Sequence, residues 1–96
     1  MKIIAAQLNF VVGDIDGNTN KILRLAGQDG LVVFSEMCIT GYPAEDLWLN
    51  QHFIAHEQAA LQKIAHEFKG CCIIGASHAS GSKLYNAAYL IQNGTA

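Results

Sequence analysis

A carboxylate, Glu36, ends the apolar run Leu31-Val32-Val33-Phe34-Ser35 and opens a turn, Thr40-Gly41-Tyr42-Pro43, that leads into Glu45-Asp46-Leu47. A carboxylate at the mouth of a buried strand is costly unless it is paired or does chemistry. Burial raises a carboxyl pKa towards neutrality, where the group both takes and gives a proton. In an α/β sheet, ligands gather beyond the carboxyl ends of parallel strands, and Glu36 is expected at such an end. The competing structural reading is a Glu that caps a helix or pairs with a lysine. Cys38 lies two residues on. If residues 36–38 stay extended, both side chains face the same way, and a Glu–Cys pair would then imitate a base and its nucleophile. Against this, free Cys is commonly a small core filler. Cys71 and Cys72, inside an apolar run, read as packing residues.

The other reactive side chains form no pattern that chemistry requires. His52 and His56 are spaced i, i+4 on an expected helix, as in some zinc sites. The segment HFIAH lacks the Glu that a metalloprotease helix sets beside its first His, and no third ligand is evident. No metal site is therefore expected. His66 and His78 carry no signal. Gly13 and Gly17 match neither the dinucleotide nor the nucleotide glycine pattern. Glu45 and Asp46 could act as acid and base, but read first as caps of the following helix, where negative charge opposes the helix dipole favourably.

The elements that must position Glu36 follow from periodicity. Residues 2–12, KIIAAQLNFVV, are apolar at nearly every position and predict a central strand covered on both faces. Asn18 is the expected N-cap of a short helix carrying Ile22, Leu23, Leu25 and Ala26, which Gly27 to Gly30 end. Residues 31–35 are a second buried strand, joined to the first by a right-handed crossover and parallel to it. Residues 49–68 predict the longest helix, with Phe53, Ala60, Leu61, Ile64 and Phe68 on one stripe and Ala65 beside it. Gly70 stops it. Residues 71–76 are a third strand, Ala79-Ser80-Gly81-Ser82 a turn, and residues 83–91 a fourth strand antiparallel to the third. Gln92-Asn93-Gly94 opens another turn. The order β-α-β-α-β-β needs cover on both sheet faces. Two helices supply one layer, so the rest is expected from further chain or a second subunit.

Composition agrees. The 96 residues are 51% hydrophobic and only 15% charged, which argues against disorder and suggests part of a larger core or a face buried against a partner. Net charge is −2 with no basic cluster, so nucleic acid is not an expected partner. No apolar stretch is long enough to span a membrane, and the N-terminus reads as a strand rather than a signal peptide. Three cysteines without disulfide or metal spacing fit a reducing cytoplasm.

The segment FSEMCITGYPAEDLWL closely resembles the first catalytic segment of the nitrilase-type carbon–nitrogen hydrolases. KIIAAQLNFVVGDIDGNTNKI is similar to their first strand and helix, including Gln7, Gly13, Asp14 and Asn18. CCIIGASH and KLYNAAYLIQNG resemble their next two strands. GYPAEDL favours the branch formed by the glutaminase domains of glutamine-dependent NAD synthetases. The resemblance implies an α/β fold, part of an α-β-β-α sandwich. Residues 1–96 would be the N-terminal portion, about the first third to half, of one glutaminase domain, with the synthetase domain absent.

By the same resemblance, Glu36 corresponds to the general base that deprotonates a cysteine and then activates the hydrolytic water. Tyr42 matches the tyrosine of the TGY loop and would help shape the glutamine pocket, the alternative being a turn aromatic packed on Pro43. The family's catalytic Lys and Cys lie downstream of the strand matching KLYNAAYLI, so the 96 residues alone are expected to be inactive. The glutaminase reaction needs no cofactor; ATP and Mg²⁺ would serve the synthetase domain, which converts deamido-NAD to NAD. Glutamine, deamido-NAD and ATP are the implied partners, and a homo-oligomer the expected assembly. A stand-alone amidase or nitrilase, and a silent structural or dimerising piece, are the rival readings. One departure stands out: KILRLAGQDG is shorter than the family's helix at that point, through truncation or through residues missing near 24–30.

Overall fold

The computed structural model describes residues 2–41, 51–80 and 83–92, with backbone alone at 79–80 and 83–86. Six elements follow in order: β1 (Ile3–Ala5), α1 (Ile15–Leu23), β2 (Leu31–Val33), α2 (Gln51–Glu67), β3 (Cys71–Ser80) and β4 (Lys83–Gln92). The four strands form one sheet in sequence order. β1, β2 and β3 run parallel, with Ile4, Val32 and Cys72 in register, and β4 returns antiparallel to β3 with Ile91 opposite Cys72. This is the expected α/β topology. The hairpin pairing extends to Ser80 opposite Lys83, so Ala79 and Ser80 belong to the strand rather than to the turn.

Burial alternates along the sheet. Val32, Cys72, Ile74 and Ile91 are buried, and pack with Ile15 and Ile22 of α1 and Ala60, Leu61, Ile64 and Ala65 of α2. The neighbouring positions Ile3 and Leu90 are 66% and 56% exposed. Side chains alternate across a strand, so both helices cover the same face, and among the described residues no helix covers the other. Cover on both faces, expected from the continuous apolar runs, is therefore half met.

β1 is shorter than the strand expected over residues 2–12. Ala6 N–H still donates to Val33 O at 2.9 Å, but β2 ends there, and β1 loses its ladder partner. Leu8 and Phe10 remain turned towards the core. α1 starts earlier than expected. Asp14, not Asn18, is its N-cap, its carboxylate accepting the Gly17 N–H at 3.0 Å. Both residue types cap well; Asn18 lies inside the helix because its amide is engaged elsewhere. After Leu23 a turn at 24–27 closes the short connection, with Gly27 N–H donating to Lys69 O at 2.7 Å. α2 falls where the stripe predicts it.

Candidate active site

β2 carries the chain towards Glu36. Phe34, buried, sets its ring edge-on to Phe68 at 6.2 Å between centroids, and its N–H donates to Ile73 O at 3.0 Å. Beyond Phe34 the chain leaves the sheet. Met37 takes a positive φ of 49°, a region that non-glycine residues seldom occupy. The turn closes when Gly41 N–H donates to Met37 O at 2.9 Å, and Cys38 N–H returns to β3 through Gly75 O at 3.2 Å. Two glycines admit this path. A Cβ on Gly75 would stand 2.6 Å from Met37 N, and one on Gly41, at φ 78°, would stand 2.7 Å from Val12 Cα.

Asn18 ties the turn to the first loop. Its Nδ2 donates to Val11 O and to Ile39 O, both at 2.8 Å, and its Oδ1 accepts from Val11 N–H at 2.9 Å. Gly13 N–H adds a bond to Thr40 O at 2.8 Å. With Ile39 and Asn18 fully buried, the segment around Glu36 is held from beneath by α1, β3 and the loop after β1. Such satisfied buried polar groups fix one geometry.

Glu36 itself is exposed at the crest of this turn. The burial expected for it is not met within this chain, because the turn lifts it out of the sheet. It borders two clefts. One, of about 350 Å³, is lined by Phe34, Ser35, Ile73, Gly75 and Ala88 with Glu36. The other, of about 290 Å³, is lined by Leu8, Phe10, Met37, Cys38 and Gly41 with Glu36. Glu36 thus stands beyond the carboxyl end of a parallel strand, as expected. Tyr42, Glu45 and Asp46 lie outside the described residues.

Cys38 does not pair with Glu36 as base and nucleophile. The left-handed turn at Met37 breaks the alternation that would place both on one side, and Cys38 is 1% exposed. Burial pushes its thiol up to about 12, and that of Cys72 likewise. A thiol so shifted is scarcely ionised near neutrality. His56 Nε2 hydrogen-bonds Asp16 Oδ1 at 2.8 Å. Among the described residues, no group of three or more His, Cys, Asp or Glu could hold a metal ion, and no helix is long and apolar enough to cross a membrane.

One buried carboxyl escaped the sequence reading. Glu57 on α2 is fully buried, and its carboxylate accepts from Ser77 Oγ and, at 3.2 Å, from Ser77 N–H. Desolvation raises its pKa against the lowering effect of the Ser77 bonds. Spacing would have revealed it: position 57 falls on the same stripe as Phe53, Ala60, Leu61 and Ile64, and is polar where the stripe is apolar.

A sequence model of the carbon–nitrogen hydrolase family matches residues 2–96. The chain belongs to the carbon–nitrogen hydrolase family. Within that family it is similar to the glutamine-dependent NAD(+) synthetase of Xanthomonas campestris pv. campestris, 38% identical over 98% of this chain and 18% of that protein. The enzyme of the same name from Aquifex aeolicus is 35% identical over the same shares. Among solved structures, a glutamine-dependent NAD(+) synthetase from Cytophaga hutchinsonii superposes with a TM-score of 0.88 at 26% identity, over 96% of this chain and 17% of that one. The Acinetobacter baumannii glutamine-dependent NAD+ synthetase, in complex with ADP, superposes at 0.85 and 28% identity, over 97% of this chain and 19% of that one. The chain thus spans about a fifth of the length of the relatives it matches.

Proposed function

We propose that the protein carrying this chain hydrolyses the side-chain amide of glutamine and passes the ammonia to an ATP-dependent conversion of deamido-NAD to NAD. The observation that carries this reading is the match over nearly the whole chain to glutamine-dependent NAD(+) synthetases. The turn geometry supports it: an exposed carboxylate on a rigid turn, open to two clefts at the carboxyl end of the parallel strands.

In this reading Glu36 is the general base. It takes the proton of a cysteine supplied by a part of the protein outside residues 1–96; Cys38 and Cys72 are buried in the core of this chain. The thiolate attacks the amide carbon, and Glu36 returns the proton to the nitrogen as ammonia leaves. Glu36 then takes a proton from water as it attacks the thioester, and the cysteine leaves protonated with glutamate free. A lysine, also from elsewhere, would stabilise the oxyanion. Tyr42 would border the glutamine pocket.

ATP and Mg²⁺ belong to the synthetase step. In this reading both are bound by the synthetase domain, outside residues 1–96. The bare sheet face with Ile3 and Leu90 is assigned to a buried contact with further chain or a second subunit of a homo-oligomer. A reducing cytoplasm suits the free cysteines.

The test is hydrolysis of glutamine labelled with ¹⁵N in its side-chain amide. Glutamate and labelled ammonia are expected in equal amounts, with the label entering NAD when ATP and deamido-NAD are supplied. Preference for a simple amide or nitrile over glutamine would overturn the reading in favour of a stand-alone amidase.

A further inference from the structure

Where β2 turns away, β3 loses its parallel neighbour, and its remaining backbone groups on that side need other partners. The first two rungs are filled by the departing chain itself: Ile73 O takes Phe34 N–H at 3.0 Å, and Gly75 O takes Cys38 N–H at 3.2 Å. The next alternate residue is Ser77, and its partners come from a helix. Glu57 accepts the Ser77 N–H at 3.2 Å, and Gln58 Nε2 donates to Ser77 O at 3.0 Å. Glu57 also accepts the Ser77 hydroxyl proton, and Tyr89 Oη donates to Ser77 O at 3.0 Å. Two adjacent side chains of α2 thus act as the missing strand, one as acceptor and one as donor.

Gly75, two residues before Ser77, is the contact on which Met37 and Glu36 rest. We propose that Glu57 is a positioning residue for the Glu36 turn, fixing β3 at Ser77 so that Gly75 presents a constant seat to Glu36 and Met37. The inference rests on the reading of Glu36 as general base. Glu57 touches no cleft that Glu36 borders, so it acts on the base through the backbone alone. A merely stabilising contact would lower the melting temperature and leave the folded enzyme's turnover intact. A positioning contact changes turnover itself, because small displacements of a base cost rate steeply.

The experiment compares Glu57→Ala, Glu57→Gln, Ser77→Ala and Glu36→Gln in the full protein, with glutamine kinetics normalised to folded enzyme by circular dichroism. Gln can accept the Ser77 N–H and donate to its hydroxyl, so the geometry survives without the charge. Glu57→Ala is expected to lose about tenfold or more in kcat with KM within about threefold, while Glu57→Gln keeps kcat within about threefold of wild type. If Glu57→Ala does not fold, Ser77→Ala decides, with an expected fall in kcat at unchanged KM. Wild-type kcat in Glu57→Ala, or in Ser77→Ala where that variant decides, overturns the inference when Glu36→Gln is inactive. A loss in Glu57→Gln as deep as in Glu57→Ala would overturn it too, by making the charge rather than the geometry the cause. Activity in Glu36→Gln would overturn the base assignment itself.

Discussion

Gly75 lies directly against Met37: a Cβ on Gly75 would stand 2.6 Å from the Met37 amide nitrogen and 3.0 Å from Glu36 Cα. The opposing atoms are backbone, so they cannot swing aside. Gly75→Ala therefore has to displace the turn. The expected outcome is a loss of about 1–3 kcal/mol in stability and a fall in glutamine turnover larger than the fall in folded protein. Urea denaturation and kcat on the same sample check it, and wild-type turnover would contradict it.

Asn18 serves three backbone partners, Val11 N–H, Val11 O and Ile39 O. Asn18→Ala leaves buried groups without partners, at roughly 1–3 kcal/mol for each. Asn18→Asp is expected to be worse at neutral pH, because a carboxylate cannot donate to two carbonyls. Thermal melting should rank wild type above Asn18→Ala and Asn18→Ala above Asn18→Asp; the reverse order for the two variants would contradict this account.

These two residues mark what could be read from sequence and what could not. The apolar run ending at Glu36, the stripe of α2 and the short loop between β3 and β4 are local patterns, and the elements follow them. The role of Asn18 depends on Ile39, twenty-one positions away, while its local sequence offers a helix cap that Asp14 takes instead. The exposure of Glu36 goes with a left-handed Met37 whose backbone packs closely against Gly75. The bare sheet face was legible only as a shortage of helices, because an apolar run does not say which of its faces the same chain will cover.

Burial raises the Glu57 pKa above its ordinary value. The folded state therefore binds the proton more tightly than the unfolded chain does. The stability this contributes is full below the ordinary carboxylate pKa and is lost as pH rises through the raised folded value. Glu57→Gln removes the titration. Its stability relative to wild type is expected to improve as pH rises from about 4 towards 8. Urea midpoints at several pH values check this; a difference that stays flat, or shrinks, would contradict it.

The thiols of Cys38 and Cys72 are pushed up to about 12 by burial. Alkylation of the native protein at about pH 8 is expected to leave both unlabelled, with labelling only after denaturation. Peptide mass spectrometry reads the outcome. Cys38→Ala should still release ammonia from glutamine, and complete loss of that activity in a folded variant would return Cys38 to candidacy as the nucleophile.

Glu36→Gln in the full protein tests whether Glu36 is the base. Gln keeps the size and polarity of the side chain and removes its ability to take a proton near neutral pH. Ammonia release from glutamine is expected to fall by about 10²–10⁴-fold in a variant that circular dichroism shows to be folded. A folded Glu36→Gln protein that retains most of its ammonia release would contradict the account.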